Sequence, residues 1–408
     1  MTTTALQAAA EKVRNTLIEG GFEAYFVGGC VRDMFLGRPP KDYDLVTNAT
    51  PEQIAPLFEE AKLVGAQFGV VIVKVDDFQF EIATYRKDGK YTDGRRPDSV
   101  EFASTIQEDL DRRDFTMNGL VSVSTVYLVG SIRDWVGGRY DLRDRLVRTI
   151  GNPVDRFSED ALRLLRAVRF AVQLGFNIEP KTWTAIQNNA DGVLQVSRER
   201  VRDELIKILV SPDPARGIFL LIASGLDRYV LPELRGANLT RLLHLLATVP
   251  QTAYRSAEFL LGTLCSCFHL DSLATTIEGL KLSNEQRDII YEMANWSDFA
   301  HFQLNGSSKK SWMKRRLRRP HAQHGLNLYY LHCLAEEVPR QGNVTQTVET
   351  LRAEGLSPKQ ILPSEELMLR GFKRDALGMI IRELETEQLD GKISTPDEAR
   401  SFLEKAYA

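Results

Sequence analysis

The chain has 408 residues, 43% hydrophobic and 26% charged, which is enough for two or more domains around substantial cores. A formal net charge of −3 excludes a uniformly basic nucleic-acid binder, so any RNA- or DNA-binding surface has to be local. Four cysteines (Cys30, Cys265, Cys267, Cys333) are too few for a disulfide framework and point to a reducing, cytoplasmic compartment.

The first twenty residues lack the basic flank and apolar core of a signal peptide, and read as a helix over about 5–19 with Leu6, Ala9, Val13 and Leu17 on one face. No window of 18 apolar residues predicts a membrane span. A short strand, AYFVGG, then runs into Gly28-Gly29, followed by a helical stretch, CVRDMFLG, and the strand DYDLV. Thr50 as cap and Pro51 at the first position open a helix over PEQIAPLF. The strands GVVIVKV and FQFEIATY are joined by a tight turn at Asp76-Asp77. Residues 86–98 form a polar, glycine-rich loop; DFTMNGLVSV, VYLVGSI and the turn-rich DWVGGRYDL complete a mixed α/β segment over 1–150. From about 155 helical periodicity dominates, and SEDALRLLRAVRFAVQLG reads as one continuous helix. The fold class is therefore α+β: a small head with a mixed sheet, followed by all-helical segments. Cys265 and Cys267 form C-x-C in an apolar run, but no four-ligand zinc spacing accompanies them.

Asp42 and Asp44 alternate around Tyr43 and so point to one side of their strand. Two carboxylates aimed together call for a cation, but taken alone the pair reads first as a solvated strand edge. The preceding FVGGCVRD (26–33) shifts that balance, because a strand, two glycines and a helix start expose backbone N–H groups where a phosphate can bind, with Arg32 adding charge. It is neither a dinucleotide fingerprint nor a P-loop.

GGCVRD followed by DYD resembles the signature of the nucleotidyltransferase superfamily that includes DNA polymerase beta. RRDFTMNGL (112–120), EDALRLLRAVRF (159–170), SRERVRDELIKIL (197–209), LKLSNEQR (280–287) and the tail LPSEELMLRGF resemble the class II tRNA nucleotidyltransferase and bacterial poly(A) polymerase family. The resemblance covers nearly the whole chain, least specifically over 210–275 and 290–355. It implies a catalytic head (1–150), a nucleotide-recognising neck (151–210), a body (211–300) and a tRNA-binding tail (301–408). It also implies that Asp42 and Asp44 hold two Mg²⁺ ions, with Glu81 as a third catalytic carboxylate, and that Gly28, Gly29 and Arg32 contact the triphosphate. Arg113, Asp114 and Asn118 would serve the incoming nucleotide. TMNG stands where the family more often has TINA, and Gly119 is expected to loosen a helix there by up to about 1 kcal/mol.

On one continuous helix, Asp160, Arg163, Arg166 and Arg169 step by three along a polar half, which reads by itself as surface ion pairing. The resemblance instead makes Asp160 and Arg163 a protein template for the base, with Arg166 and Arg169 in support. An accepting carboxylate and a donating guanidinium answer cytosine or adenine, whereas uracil and guanine present the wrong pattern. By itself the 86–98 loop reads as a solvated connection; the resemblance implies that it is the flexible element used in switching from C to A addition. The run KKSWMKRRLRR suggests an RNA-backbone clamp of Lys309, Lys310, Lys314, Arg315, Arg316, Arg318 and Arg319, or alternatively a solvated helix face.

The expected substrates are CTP, ATP and the tRNA 3′ end, with no membrane and no obligate protein partner. Addition of C, C and A is the leading reading; addition of A alone and poly(A) synthesis stay open. LVGAQFGVVIV (63–73) departs from the HGTV pattern of many CCA-adding members and also lacks the polymerase's GRRF-like run. No His is followed by Asp, so a fused phosphohydrolase is not expected.

Overall fold

The computed structural model describes residues 4–63, 68–89, 100–126, 130–249, 255–268, 270–303, 310–335 and 341–407. Lys309, residues 90–98 of the polar loop and residues 64–67 of the 63–73 stretch lie outside them. Residues 1–232 form one compact unit and 233–408 another.

Helix α1 (Ala5–Glu19) starts at a capping box in which Thr4 and Gln7 satisfy each other's backbone N–H groups, and it buries Ala9, Ala10, Val13 and Leu17. Strand β1 (Ala24–Val27) leads through Gly28 into α2 (Gly29–Phe35). There follow β2 (Asp44–Thr47), α3 (Pro51–Ile54), β3 (Glu60–Lys62), β4 (Val70–Val75) and β5 (Phe78–Thr84). The β4–β5 hairpin turns at Asp76-Asp77, where Asp76 takes φ 54°. β6 (Arg86–Asp88) and β7 (Val100–Phe102) pair as a separate antiparallel arm at the two ends of the polar loop.

After α4 (Ile106–Asp111) come β8 (Leu120–Ser122), β9 (Ile132–Asp134) and α5 (Gly138–Asp144). The main sheet has the order β3-β4-β5-β2-β1-β8-β9 and is mixed, because β2 and β5 run parallel while its other pairs are antiparallel. Val27, Val46, Tyr85, Ile106, Leu110 and Val121 form a core cluster on this sheet.

Two expectations change here. Residues 116–118 form a single 3₁₀ turn capped by Gly119, not a helix that glycine would loosen. A Cβ at Gly119 would stand 2.7 Å from Val136 Cγ2 and 3.1 Å from Ile150 Cδ1, so glycine makes room for those side chains. The stretch 158–175 is likewise not one helix. Helix α6 (Pro153–Glu159) ends, Asp160 adopts an extended conformation (φ −142°, ψ 100°), and α7 (Leu162–Leu174) begins anew. Short strands β10 (Leu146–Val147) and β11 (Asn177–Ile178) pair beside α7. The first unit closes with α8 (Pro180–Asn188), α9 (Arg198–Leu209), α10 (Pro214–Ser224) and α11 (Asp227–Val230).

The second unit is helical throughout its described residues. One core gathers Trp296, Met313, Leu317, Leu326, Tyr329 and Val348; another gathers Leu362, Leu367, Ile380, Leu384, Ala399 and Leu403. No described helix is long and apolar enough to cross a membrane.

Candidate active site

The site begins at one end of the sheet. Val27 pairs with Asp44, so the Gly28 turn and the first acid of β2 emerge side by side. The parallel register Leu45–Ile82, followed one residue back, brings Asp44 level with Glu81 on β5. Asp42 lies two residues before Asp44, close enough for its charge to act on the Asp44 carboxyl. Asp44 is open to solvent at its tip, yet the protein around it removes hydration and pushes its carboxyl up to about 6. Asp42 and Glu81 add like charge, and Arg113 opposes them. Three carboxylates therefore crowd one end of the sheet.

Gly28 takes φ 78°, a conformation that L side chains rarely adopt. A Cβ there would lie 3.7 Å from Arg113 Nη1, and one on Gly29 3.7 Å from Arg32 Nη2. Two guanidinium groups thus overhang the glycine turn beside the carboxylates. Arg113 is held from below by Asp109, which sequence reading missed. Asp109 is fully buried and accepts from Arg112 Nη2 (2.7 Å) and Arg113 Nη2 (3.0 Å). Burial works against its charge, but the two arginines outweigh that and hold its carboxyl below the ordinary range. The signal was present as i,i+3 and i,i+4 spacing within EDLDRR.

A second network joins the remaining residues of the RRDFT stretch to α7. Buried Asp114 accepts from Phe115 N (2.7 Å) and Asn118 Nδ2 (3.1 Å) on one oxygen and from Arg166 on the other. Asn118 in turn accepts from Arg32 Nη1 at 2.8 Å. The guanidinium groups of Arg32, Arg166 and Arg169 surround the Phe170 ring at 5.4, 5.4 and 4.0 Å from its centroid. Arg169 also ion-pairs with Glu204 of α9 at 2.7 Å.

Asp160 lies in the break between α6 and α7. Its Oδ1 accepts from Leu162 N (3.1 Å) and its Oδ2 from Arg200 Nη2 (2.9 Å). Arg163 is 8% exposed, and both of its terminal nitrogens are engaged. Nη1 donates to Glu159 Oε2 (2.6 Å) and Arg156 O (3.0 Å), and Nη2 to Arg112 O (2.9 Å). Arg163 therefore ties the break to the RRDFT stretch.

The basic run is internally matched. Lys310 and Lys314 pair with Glu354 (3.0 and 2.9 Å), and Arg315 and Arg318 with Glu385 (2.8 and 2.7 Å). Arg316 and Arg319 lie 3.9 and 3.3 Å from Glu292. Arg315 also donates to Arg382 O and Thr386 Oγ1. R315A is expected to destabilise the helical unit by about 1–3 kcal/mol, measured by urea unfolding, because Glu385 and the end of helix Leu377–Leu389 lose their bridge to helix Lys310–Leu317.

A mixed sheet ending in clustered carboxylates beside an arginine-covered glycine turn defines a nucleotidyltransferase head. Residues 24–148 match the family described as Poly A polymerase head domain, and residues 175–237 match the probable RNA and SrmB-binding site of polymerase A. The CCA-adding enzyme of Lactococcus lactis subsp. lactis (strain IL1403) is 38% identical over 306 residues, 72% of this chain and 75% of that protein. That of Geobacillus stearothermophilus is 40% identical over 272 residues, 67% of this chain and 66% of that protein. The crystal structure of the Bacillus stearothermophilus CCA-adding enzyme in complex with CTP has a TM-score of 0.77 at 28% identity, covering 99% of this chain and 98% of that one. The chain belongs to the family of CCA-adding enzymes and poly(A) polymerases, enzymes of the nucleotidyltransferase class.

Membership implies divalent-metal catalysis. Among the described residues no group of three or more His, Cys, Asp or Glu side chains is arranged to hold a metal ion by itself. The donor set still fits a hard cation that takes one or two carboxylates and completes its shell with substrate phosphate.

Proposed function

We propose that this protein adds C, C and A in turn to the 3′ end of tRNA, using CTP and ATP, releasing pyrophosphate and reading no nucleic-acid template. The observation that carries the reading is the convergence of Asp42, Asp44 and Glu81 beside the Gly28 turn, in a chain whose relatives are named for CCA addition. Asp42 and Asp44 would hold magnesium, which when bound supplies a more acidic RNA 3′-hydroxyl and positive charge against the departing pyrophosphate. Glu81 adds negative charge on the neighbouring strand and steers the cation to this end of the sheet. Gly28 and Gly29 let the triphosphate approach the backbone, and Arg113 covers it from above. Arg32, Asn118, Asp114 and Arg166 hold the turn and α7 in register, with Arg169 braced on Glu204. Asp160 accepts from the exocyclic amine of cytosine or adenine; the carbonyl that uracil or guanine presents there meets a carboxylate and is rejected.

RNA contact falls on the most exposed described cations of the basic run, Lys310 and Arg319, which keep over half of their side-chain surface open while paired. The cytoplasm is the compartment that fits four free cysteines.

The test uses Mg²⁺, each labelled nucleoside triphosphate, and tRNA transcripts that lack CCA, end in CC, or are complete. Two C and one A on the first transcript, A on the second and nothing on the third are expected. Activity on the second transcript alone makes it an A-adding enzyme. Long tails on unrelated RNA make it a poly(A) polymerase, and no incorporation removes the reading.

A further inference from the structure

We infer that the 3′ strand of the RNA substrate crosses the open face of β3 and β4, where Lys62 and Lys74 hold its phosphates; this rests on the proposed transfer to tRNA with the triphosphate on the Gly28 turn. In that transfer the RNA 3′-oxygen bonds to the α-phosphorus of the incoming nucleotide as the bond to pyrophosphate breaks. The attacking and leaving oxygens lie roughly in line, so the RNA enters from the side opposite the pyrophosphate. Strand order decides which side that is. The glycine turn follows β1, Asp44 opens the adjacent β2, and β5, β4 and β3 lie beyond β2 in that order. A triphosphate over the β1 turn leaves the β5 side for the attacking hydroxyl.

The register shows what that side offers. Asp44 is level with Glu81, Glu81 pairs with Ile72, and Ile72 pairs with Lys62. Residues opposite one another on neighbouring strands share a face, so these four stand in one row. Gln79, Lys74 and Glu60 form the next row on that face, toward the Asp42 end. Lys62, Lys74, Gln79 and Glu81 are exposed, whereas Val71, Val73, Phe80 and Ile82 on the other face are buried. The outer strands therefore present one closed face and one open face, and the open one carries lysines beside the half-buried Ile72.

Lys74 pairs with Glu60 at 3.4 Å, but both side chains are exposed. A pair of that kind contributes little, so a phosphate can take the place of the carboxylate. The row from Asp44 to Lys62 crosses three strand spacings, about 14 Å. At about 3.4 Å per stacked nucleotide, this is the length of a CCA end with the unpaired nucleotide before it. The same row continues the other way through Val27 and Val121 to Arg133 on the edge strand β9, again three spacings from Asp44. Arg133 is also exposed, but it lies on the triphosphate side and donates to Tyr25 Oη at 3.1 Å. It is an edge-strand cation at matched distance where the RNA should not pass.

Steady-state CTP addition by the full-length enzyme to tRNA lacking CCA tests the path, with K62Q, K74Q, K62Q/K74Q and R133Q compared. The double variant is expected to raise KM for tRNA about tenfold, with kcat, KM for CTP and melting temperature nearly unchanged. Its tRNA affinity should depend less steeply on salt, by about one unit of the log–log slope for each lysine removed. The same rise in KM is expected on an acceptor-stem minihelix, because the contact lies near the 3′ end. R133Q should match wild type within about twofold. A tRNA KM and salt slope unchanged in the double variant overturn the inference, as does a rise in R133Q equal to that in the double variant. A rise confined to intact tRNA and absent on the minihelix places the contact elsewhere and overturns it too. Equal rises in KM for tRNA and CTP would make the lysines structural, with the same consequence. Failure of the wild-type protein to extend tRNA removes the proposed function itself, whereas wild-type extension with an unaltered double variant removes only this path.

Discussion

Asp44→Asn is expected to abolish nucleotide transfer while making the magnesium-free protein more stable. The activity loss follows from removing one of the two carboxylates proposed to hold the metal. Interactions of that kind supply several kcal/mol of transition-state stabilisation, so a fall of about 10³-fold or more is expected. The stability gain follows from electrostatics. Lost hydration, Asp42 and Glu81 together lift the Asp44 carboxyl to about 6, above the ordinary carboxylate range. A folded-state value raised above the unfolded one means that ionised Asp44 weakens the fold at neutral pH, and that stability returns as pH drops through about 6 toward about 4. Asparagine keeps the shape and removes the charge, so this acid-side gain should vanish in the variant. Solvent at the open end of the sheet screens the repulsion and keeps the gain modest. Thermal unfolding at pH 5 and pH 7.5, with and without Mg²⁺, reads both effects. Wild type should be stabilised by Mg²⁺ and by acid, and D44N by neither. A D44N enzyme that still extends tRNA would remove Asp44 from the metal site, and an unchanged melting temperature without Mg²⁺ would show that the three carboxylates do not repel one another.

The local part of this site was legible in the sequence because its geometry is local. Two-residue spacing keeps the Asp42 charge close to the Asp44 carboxyl, and only glycine suits the positive φ at position 28. That Glu81 joins them depends on the β2–β5 register, which no pattern within either strand specifies. The periodicity of 158–175 misled because Asp160, Arg163 and Arg166 keep a three-residue step whether or not the backbone between them is helical; the Asp160–Leu162 N–H bond and the Arg200 ion pair stabilise the break instead. The basic run read as a free surface because its partners Glu292, Glu354 and Glu385 are distant in sequence. Segregation into a sheet-bearing segment and helical segments was visible from the change of hydrophobic period, since each period buries one face.

Asp114→Ala is expected to cost about 3–5 kcal/mol of folding stability, the range for removing one partner of a buried ion pair. Asp114 is 8% exposed and uses both oxygens. Its loss leaves Arg166 uncompensated close to Arg32 and Arg169 around the Phe170 ring, and it frees Asn118 from the position in which it holds Arg32. Burial alone would raise the Asp114 carboxyl, but the Arg166 charge, the Asn118 amide and the Phe115 N–H outweigh it and bring the value down to about 2. A depressed folded-state value gives a definite sign: the stabilisation is complete above the unfolded value of about 4 and is lost as pH falls through about 2. Wild type should therefore retain this contribution at pH 5, and D114A should differ from it by the same amount at pH 5 and pH 7. Urea unfolding at those two pH values measures it. Replacing both partners, D114A with R166M, should cost less than D114A alone, because no buried charge is left unmatched. If the double variant is as unstable as the single one, the cost lies in packing around Phe170 and not in the ion pair. If D114A is within about 0.5 kcal/mol of wild type, the Asp114–Arg166 pair does not hold the RRDFT stretch to α7.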